Sequence, residues 1–272
     1  MGFAAGRQVQ QLEYSLTYAT DSTPEADGRV RVGYGPGSRW KYSGGGFTLL
    51  QLLIEEVTHD RFAHFMQETV FEPLGMRRTT FDEKSAMERG IATSYVPRHL
   101  VRARHYQFSA LAAASLYSDL RDMARFALAH LPGEDGTPAG RGVLAPEMLV
   151  EMRAPAAQPF GAGMWGLGTK LYARSGPSDH VFGQDGENFP AISHAVRIDP
   201  VTRSGIVVMS SGSRGFASGV ATDWLYWKTA VNYVGLRLPH LLRAFVIGAA
   251  LIVLVVAVWT IRNVHLRRAA TI

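Results

Sequence analysis

The residues best suited to chemistry in this sequence are Tyr42 and two nearby serines, Ser38 and Ser43. Their hydroxyl groups can both donate and accept hydrogen bonds. Pro36-Gly37 interrupts the preceding segment, and the glycine run 44–46 allows positive φ and a close approach of backbone to a bound molecule. A tyrosine and two serines on a glycine-rich turn, at the start of a predicted helix, indicate a functional site and not a core.

The elements that position this loop are predicted from hydrophobic periodicity. Apolar residues at helical spacing predict a helix over 47–58, directly after the glycines. Further helices are predicted over 61–70, 119–131 and 146–153, the last with proline in its first turn. Together these segments form a predicted helical lobe at 45–155.

The second half of the chain has a different pattern. Residues 192–198 alternate apolar and polar side chains, which is the period of a half-buried strand, and 205–209 is a second apolar strand after a turn. Two such strands predict an antiparallel hairpin. Residues 163–171 are strand-like, and 217–234 is predicted to be helical. Strands and final helix therefore occupy 163–235.

Composition limits the classes of protein to which the chain can belong. Its 272 residues can form one sizeable domain, and its net charge of +5 comes without a block of Lys or Arg that would indicate nucleic-acid binding. The absence of cysteine excludes disulfides and thiolate metal sites. Residues 1–10 lack the long apolar stretch of a secretory signal.

An apolar run without any charge, Ala244–Ile261, lies near the C-terminus. Its length is near the lower limit for a helix that crosses a bilayer, and Trp259 stands where an interfacial aromatic would. We predict a transmembrane helix over 240–262, in preference to a buried core helix. The basic tail 263–272 favours a cytoplasmic C-terminus, which would place the globular part outside a bacterial cell membrane.

Histidine and carboxylate spacing does not predict a metal site. The nine histidines include no His-x-x-x-His pair with a glutamate, and His59 and His64, five residues apart, do not share a helix face well. Asp119 and Asp122 fall in the first turn of a predicted helix, where negative charge suits the helix dipole. We therefore expect neither a metal nor another cofactor.

Several motifs, in order along the chain, resemble one family. The run Pro36–Phe81 resembles the penicillin-recognising serine hydrolases, the group of class C β-lactamases, D-alanyl-D-alanine peptidases and esterases. Their second motif, Tyr-Ser/Ala-Asn, follows Pro-Gly and an aromatic residue, and here reads Tyr42-Ser43-Gly44. An amphipathic helix and a Pro-Leu-Gly-Met turn, Pro73–Met76, come next. The similarity continues through 113–120 and 182–210.

The resemblance implies acyl-transfer chemistry. Members of this family attack an ester or amide carbonyl with the serine of a Ser-x-x-Lys motif, and the motif tyrosine relays the proton. A strand carrying Lys/His-x-Gly closes the other wall and supplies a backbone N–H to the oxyanion hole. Tyr42 is the implied catalytic residue. The implied substrate-binding residues are Ser43, Gly44, Gln184, Asp185 and Gly186.

The sequence departs from the family pattern at three points. Gly44 replaces the motif asparagine, and Gln184 stands where histidine or lysine would bring positive charge, which favours a neutral ester over a substrate that needs an anion clamp. No Ser-x-x-Lys precedes the tyrosine motif at the expected distance. The literal Ser38-x-x-Lys41 falls in a loop and not at a helix start, so we do not expect Ser38 to be the nucleophile. Lys228-Thr229-Ala230 is similar to the third motif Lys-Thr-Gly, but it falls on a predicted helix and is interpreted as an equally superficial match.

We therefore expect an α/β fold of the α+β type, an antiparallel sheet flanked by a helical lobe. Residues 1–235 would be the C-terminal portion of a β-lactamase-related domain, which is marginally stable alone or pairs with a missing N-terminal segment. The chain would belong to a membrane-anchored serine hydrolase acting on an ester, peptide or β-lactam carbonyl. The alternatives are a non-catalytic, membrane-anchored ligand-binding module and an interaction protein.

Overall fold

A computed structural model describes residues 3–4, 9–18, 29–96, 101–102, 106–157, 164–188 and 192–231, and single helical positions between 245 and 259. The chain divides into two units, residues 1–231 and residues 232–272. All elements named below belong to the first unit.

The described helices of the first unit are mostly short. They are α1 (Leu12–Thr17), α2 (Gly44–Thr58), α3 (Phe62–Met66), α4 (Glu83–Glu88), α5 (Leu111–Ala114), α6 (Leu120–Ala129), α7 (Pro146–Arg153) and α8 (Phe216–Thr229). Helix α3 continues directly into a π-helical turn, Gln67–Phe71. The helix predicted over 146–153 is confirmed.

Helix α2 begins three residues earlier than predicted because Ser43 caps it. The Ser43 Oγ accepts a hydrogen bond from the N–H of Gly46 at 3.1 Å, which draws all three glycines into the first turn. The helix ends at His59, which adopts a left-handed conformation with φ of 55°.

The strands form one large and one small antiparallel sheet. Strands β3 (Met164–Trp165), β4 (Lys170–Arg174), β5 (His180–Asn188), β6 (Ile192–Asp199) and β7 (Ser204–Ser211) make the five-stranded sheet in that order. Strands β1 (Phe3–Ala4) and β2 (Tyr106–Gln107) pair separately. The predicted hairpin is confirmed as β6–β7. The stretch 163–171, expected to be strand-like, contains β3 and the start of β4 with a turn between them.

The large sheet is covered by a different helix on each face. On the α6 face, Leu171, Phe182 and Ile198 pack with Ala127 and Leu131 of the α6 region. On the α8 face, Ala195 packs against Ala217 and Ala221 of helix α8. Because side chains alternate along a strand, these two contacts assign every regular position of β5 and β6 to one face or the other.

A buried charge network ties three strands together on the α8 face. Arg197 of β6 is fully buried, and its Nη2 lies 2.7 Å from Oδ1 of Asp185 in β5. The Tyr172 hydroxyl of β4 donates to Oδ2 of the same carboxylate at 2.7 Å, and the Lys170 Nζ lies 3.4 Å from it. The Arg197 guanidinium also stacks over the Tyr172 ring at 3.7 Å.

Asp122, in the first turn of α6, is a second buried anchor. Its Oδ2 accepts hydrogen bonds from the Arg78 N–H at 2.7 Å and from the Thr79 hydroxyl at 3.0 Å, and its Oδ1 accepts one from Arg125 at 2.9 Å. Asp119 is the N-cap and accepts from the N–H of Asp122 at 2.9 Å. These bonds explain both carboxylates as helix and turn anchors.

The predicted membrane segment falls largely outside the described residues. Its described positions, such as Phe245, Leu251 and Trp259, are helical and exposed. Within the described part of the chain, we find no helix that combines the length and the apolar character required to cross a bilayer.

We predict that Asp122→Ala lowers the free energy of unfolding by about 3 kcal/mol, because it leaves a partly buried N–H and a buried hydroxyl without their charged acceptor. Urea denaturation at pH 7 measures this loss. Asp119→Asn keeps an N-cap acceptor and should lower the free energy of unfolding by less than about 0.5 kcal/mol. Equal losses in the two variants would contradict the anchoring role of Asp122.

The charge network predicts a dependence of stability on pH. Burial acts to raise the pKa of Asp185, but attraction to Arg197, the hydrogen bonds from Arg197 and Tyr172, and the charge of Lys170 outweigh it, and the pKa is lowered. A carboxylate with a lowered folded pKa stabilises the protein above its unfolded pKa of about 4, and this contribution disappears as the pH falls through the folded value.

Asp185→Asn should therefore lower the free energy of unfolding at pH 7 by about 3 kcal/mol, because Arg197 loses its buried partner. The variant should also lose less additional stability than the wild type between pH 5 and pH 3. Urea denaturation across this range tests both effects. Glu147→Gln, at an exposed position of α7, should keep the wild-type pH dependence.

Candidate active site

Tyr42 stands at the entrance of helix α2 with its side chain open to solvent. The residue is 65% exposed, and it precedes the capping residue Ser43. Its ring packs beside Trp165 of strand β3, with 6.0 Å between ring centroids, and Trp40 packs on the same indole at 5.2 Å. The structure thus fixes the ring against the sheet and leaves the phenol accessible.

Two side chains connect Tyr42 with strand β5. The Nζ of Lys170 lies 5.5 Å from the centroid of the Trp165 ring and 3.4 Å from the carboxylate of Asp185. The aromatic group beside Tyr42 and the network beneath β5 therefore share one lysine. Sequence patterns did not identify Lys170 or Trp165, because their importance depends on a cross-strand contact.

Ser43 and Gly44 have local roles in the helix start. The hydroxyl of Ser43 is used as the cap of α2. A Cβ added at Gly44 would meet no atom within 4 Å, so the backbone would accept a larger residue at this position. The glycine leaves open space beside Tyr42.

Strand β5 presents Gln184 and Asp185 to opposite faces of the sheet. Gln184 shares the α6 face with Phe182, and Gly186 is the next position on that face, whereas Asp185 lies on the α8 face with Arg197. The Asp185 carboxylate is occupied by its structural partners. A direct role of Asp185 in substrate binding stays a prediction that its geometry does not favour.

One edge of β5 is open at Gln184-Asp185-Gly186, the segment that resembles the family's Lys/His-x-Gly motif. Pairing with β4 ends at Gly183, although pairing with β6 continues to Asn188. The Thr169 hydroxyl donates to the Gly183 carbonyl at 3.0 Å, so the odd-numbered residues direct their backbone groups to the β4 side. The N–H groups of Asp185 and Glu187 consequently lie at an edge without a strand partner among the described residues, and Asp185 N–H donates to Oε1 of Gln184 at 3.3 Å.

The two superficial motif matches lie elsewhere. The Ser38 hydroxyl donates to the Gly35 carbonyl at 2.6 Å within a turn, six residues before α2 begins. Lys228 lies in the last turn of α8. Neither residue lies at the start of a helix, where the family's nucleophile is found. We therefore still predict that neither Ser38 nor Lys228 is catalytic.

One group of possible metal ligands occurs among the described residues, at Asp60, His64 and Glu68. The two carboxylates contact opposite ring nitrogens of His64, Nδ1 at 2.7 Å and Nε2 at 3.3 Å. A metal bound to either ring nitrogen would thus have one of these two carboxylates at the opposite side of the ring, where it cannot be a ligand. The hydrogen bond that the His64 ring donates to Asp60 and the charges of both acids raise the pKa of His64, which is the behaviour of an exposed ion-pair triad.

His194 is a polar residue on the α6 face that sequence analysis did not select. It lies in β6 opposite Gly186 and shares its face with Val196 and Ile198. The signal in the sequence is a histidine at an apolar position of the strand alternation. Its role becomes visible only when β5 and β6 are paired.

Comparison with solved structures finds the same fold in penicillin-binding proteins and their relatives. An octameric penicillin-binding protein homologue from Pyrococcus abyssi has 20% identity and a TM-score of 0.61, over 81% of this chain and 48% of that one. A D-alanine carboxypeptidase from Burkholderia cenocepacia has 19% identity and a TM-score of 0.57, over 78% and 68%. A β-lactamase/D-alanine carboxypeptidase from Pseudomonas syringae has 17% identity and a TM-score of 0.56, over 78% and 64%.

The chain thus spans about half to two thirds of the length of these structures. No curated protein matches its sequence. The model of the Beta-lactamase family matches residues 5–231, which include the loop of Tyr42, the helical lobe and the whole five-stranded sheet. The expected family and its mixed α/β fold with an antiparallel sheet are confirmed, and the protein belongs to the Beta-lactamase family.

Proposed function

We propose that this protein is a membrane-anchored serine hydrolase that transfers or hydrolyses the acyl group of an ester, a peptide or a β-lactam. The observation that carries the proposal is that an accessible Tyr42 is linked through Trp165 and Lys170 to strand β5, whose edge is open at Gln184–Gly186. The solved relatives described as β-lactamase and D-alanine carboxypeptidase support this choice of substrates.

In this proposal each element supplies one part of the reaction. Tyr42 accepts the proton of the nucleophile and returns it to the leaving group. The N–H groups at the open edge of β5 bind the developing oxyanion. The Asp185 N–H already donates to the Gln184 side chain, so among the described residues of this edge the N–H of Glu187 is the free donor. Gln184 and Gly186 line the substrate on the α6 face, and Ser43 with Gly44 forms the opposite lip.

We propose that the nucleophile comes from a polypeptide segment outside this chain. Helix α2 supports this view because its apolar face is uncovered: Leu50 is 51% and Leu53 is 57% exposed, whereas Thr48 and Gln51 are buried. Strand β7 pairs only with β6 among the described strands, so its other edge can accept a further strand. A segment that supplies a helix and a strand would cover both surfaces.

The anchor is part of the same proposal. The charge-free run Ala244–Ile261 and the basic tail 263–272 have the composition of a single membrane-spanning helix with a cytoplasmic end. This orientation places residues 1–235 on the outer side of a bacterial membrane, where cell-wall peptides and β-lactams are found.

A non-catalytic binding module is the second candidate. Gly44 and Gln184 both remove groups that the family motif would supply, and Gln184 brings no charge to the strand. Such a protein would keep the cleft walls and bind the same ligands reversibly. The two candidates differ in whether a covalent acyl-enzyme forms.

Covalent labelling distinguishes them. We predict that the protein in its native membranes is labelled by a fluorescent penicillin or a fluorophosphonate, and that its intact mass there exceeds the 29.8 kDa of this chain, because the nucleophile lies on an additional segment. Ser38→Ala should be labelled to the same extent. A mass of 29.8 kDa with reversible, saturable binding only would favour the binding module, and labelling that requires Ser38 would place the nucleophile in this chain.

We predict further that Tyr42→Phe slows the labelling reaction about 100-fold, because the variant lacks the group that relays the proton. The final extent of labelling should be unchanged, since the nucleophile is intact. Tyr34→Phe is the matched control, because Tyr34 lies in the same loop and contacts Arg39 through its ring. Equal rates for both variants would remove Tyr42 from the mechanism.

A further inference from the structure

The imidazole of His194 lies directly over the backbone of Gly186. His194 and Gly186 are cross-strand partners in β6 and β5. A Cβ added at Gly186 would lie 2.5 Å from Cδ2 and 2.8 Å from Nε2 of the His194 ring. The ring can take this position only because residue 186 has no side chain.

His194 shares the α6 face with Gln184, one strand repeat away. Positions 184 and 186 are separated by about 7 Å along the strand. The Oε1 of Gln184 accepts from the N–H of Asp185 at 3.3 Å, which leaves the amide NH2 group as a donor. Within the described residues, the His194 ring has no hydrogen-bond partner, and the residue is exposed.

Neither Gln184 nor His194 carries a formal charge at neutral pH. The Arg153 guanidinium packs on the same face, 5.4 Å from the centroid of the Phe182 ring, and its Nε lies 3.7 Å from Oδ1 of Asp179. Packing against the strand desolvates the ring and lowers the pKa of His194, so the imidazole is neutral and offers one N–H donor. The charges of β5 lie on the other face, where Asp185 pairs with Arg197 and Glu187 lies 3.7 Å from Arg214.

We propose that His194 and Gln184 form a hydrogen-bonding subsite for an uncharged acyl group, such as the carbonyl of an ester or amide, beside the open edge of β5. Neutral donors suit a carbonyl oxygen, whereas a carboxylate taken out of water requires a charged partner. The inference rests on the proposed function and narrows its substrate class. His194 is a specificity-determining residue in this scheme.

The test is an NMR titration of the full chain, in detergent and with ¹⁵N-labelled histidine. The probes are N-acetyl-D-alanine methyl ester and the corresponding free acid. We expect the ester to shift the His194 ring resonances and to bind about tenfold more tightly than the acid. His194→Leu should weaken binding of the ester about tenfold, whereas His194→Gln, which keeps a donor, should bind within about threefold of the wild type.

Two further variants separate a binding role from a structural one. Gly186→Ala should displace the imidazole and weaken binding of the ester, although it leaves the His194 side chain in place. His64→Gln removes an exposed imidazole on α3 and should leave binding unchanged. Exposure of His194 makes loss of the fold unexpected, and far-UV circular dichroism verifies this.

Each result has a defined meaning. If the ester binds to the wild type and equally to His194→Leu, the inference is wrong and the proposed function stands. Tighter binding of the acid would contradict the uncharged class in the same way. If neither probe binds to the wild type, both the inference and the proposed acyl site are wrong.

Discussion

The buried ion pair between Arg197 and Asp185 is the interaction on which the sheet and the candidate site depend. A fully buried guanidinium needs a charged, hydrogen-bonded partner. Asp185, on the adjacent strand, provides it, with 2.7 Å between its Oδ1 and Nη2 of Arg197. Tyr172 and Lys170 complete the coordination from a third strand. This network holds β5 in register, and as a consequence Gln184 and Gly186 are turned to the other face, where a ligand can reach them.

Glycines at two positions of β5 make the surface of the site. Gly183 adopts a φ of 153°, and a Cβ there would lie 1.9 Å from the Val196 carbonyl oxygen, so the strand could not keep its approach to β6 with a larger residue. Gly186 instead makes room for the His194 ring. The first glycine therefore serves the close pairing of the strands, and the second serves the arrangement of polar groups on the α6 face.

Helix α2 buries polar residues and exposes apolar ones, the reverse of an ordinary surface helix. Thr48 and Gln51 are buried, and Gln51 accepts a hydrogen bond from the Ala112 N–H at 3.2 Å, whereas Leu50, Leu53 and Val57 are exposed. Exposed apolar surface at this density is unfavourable in water. The same helix carries Tyr42 at its start, so a segment that covers its apolar face would also approach the phenol.

Sequence alone determined the features that depend on neighbours along the chain. The helix over 146–153, the β6–β7 hairpin and the position of Tyr42 at a helix start follow from proline, periodicity and glycine, which act locally. Only the tertiary structure decided that Asp185 lies behind the strand, that His194 lies over Gly186 and that α2 buries its polar side. These outcomes depend on partner strands and helices far away in sequence, and no local pattern can specify which face of an element a partner will cover.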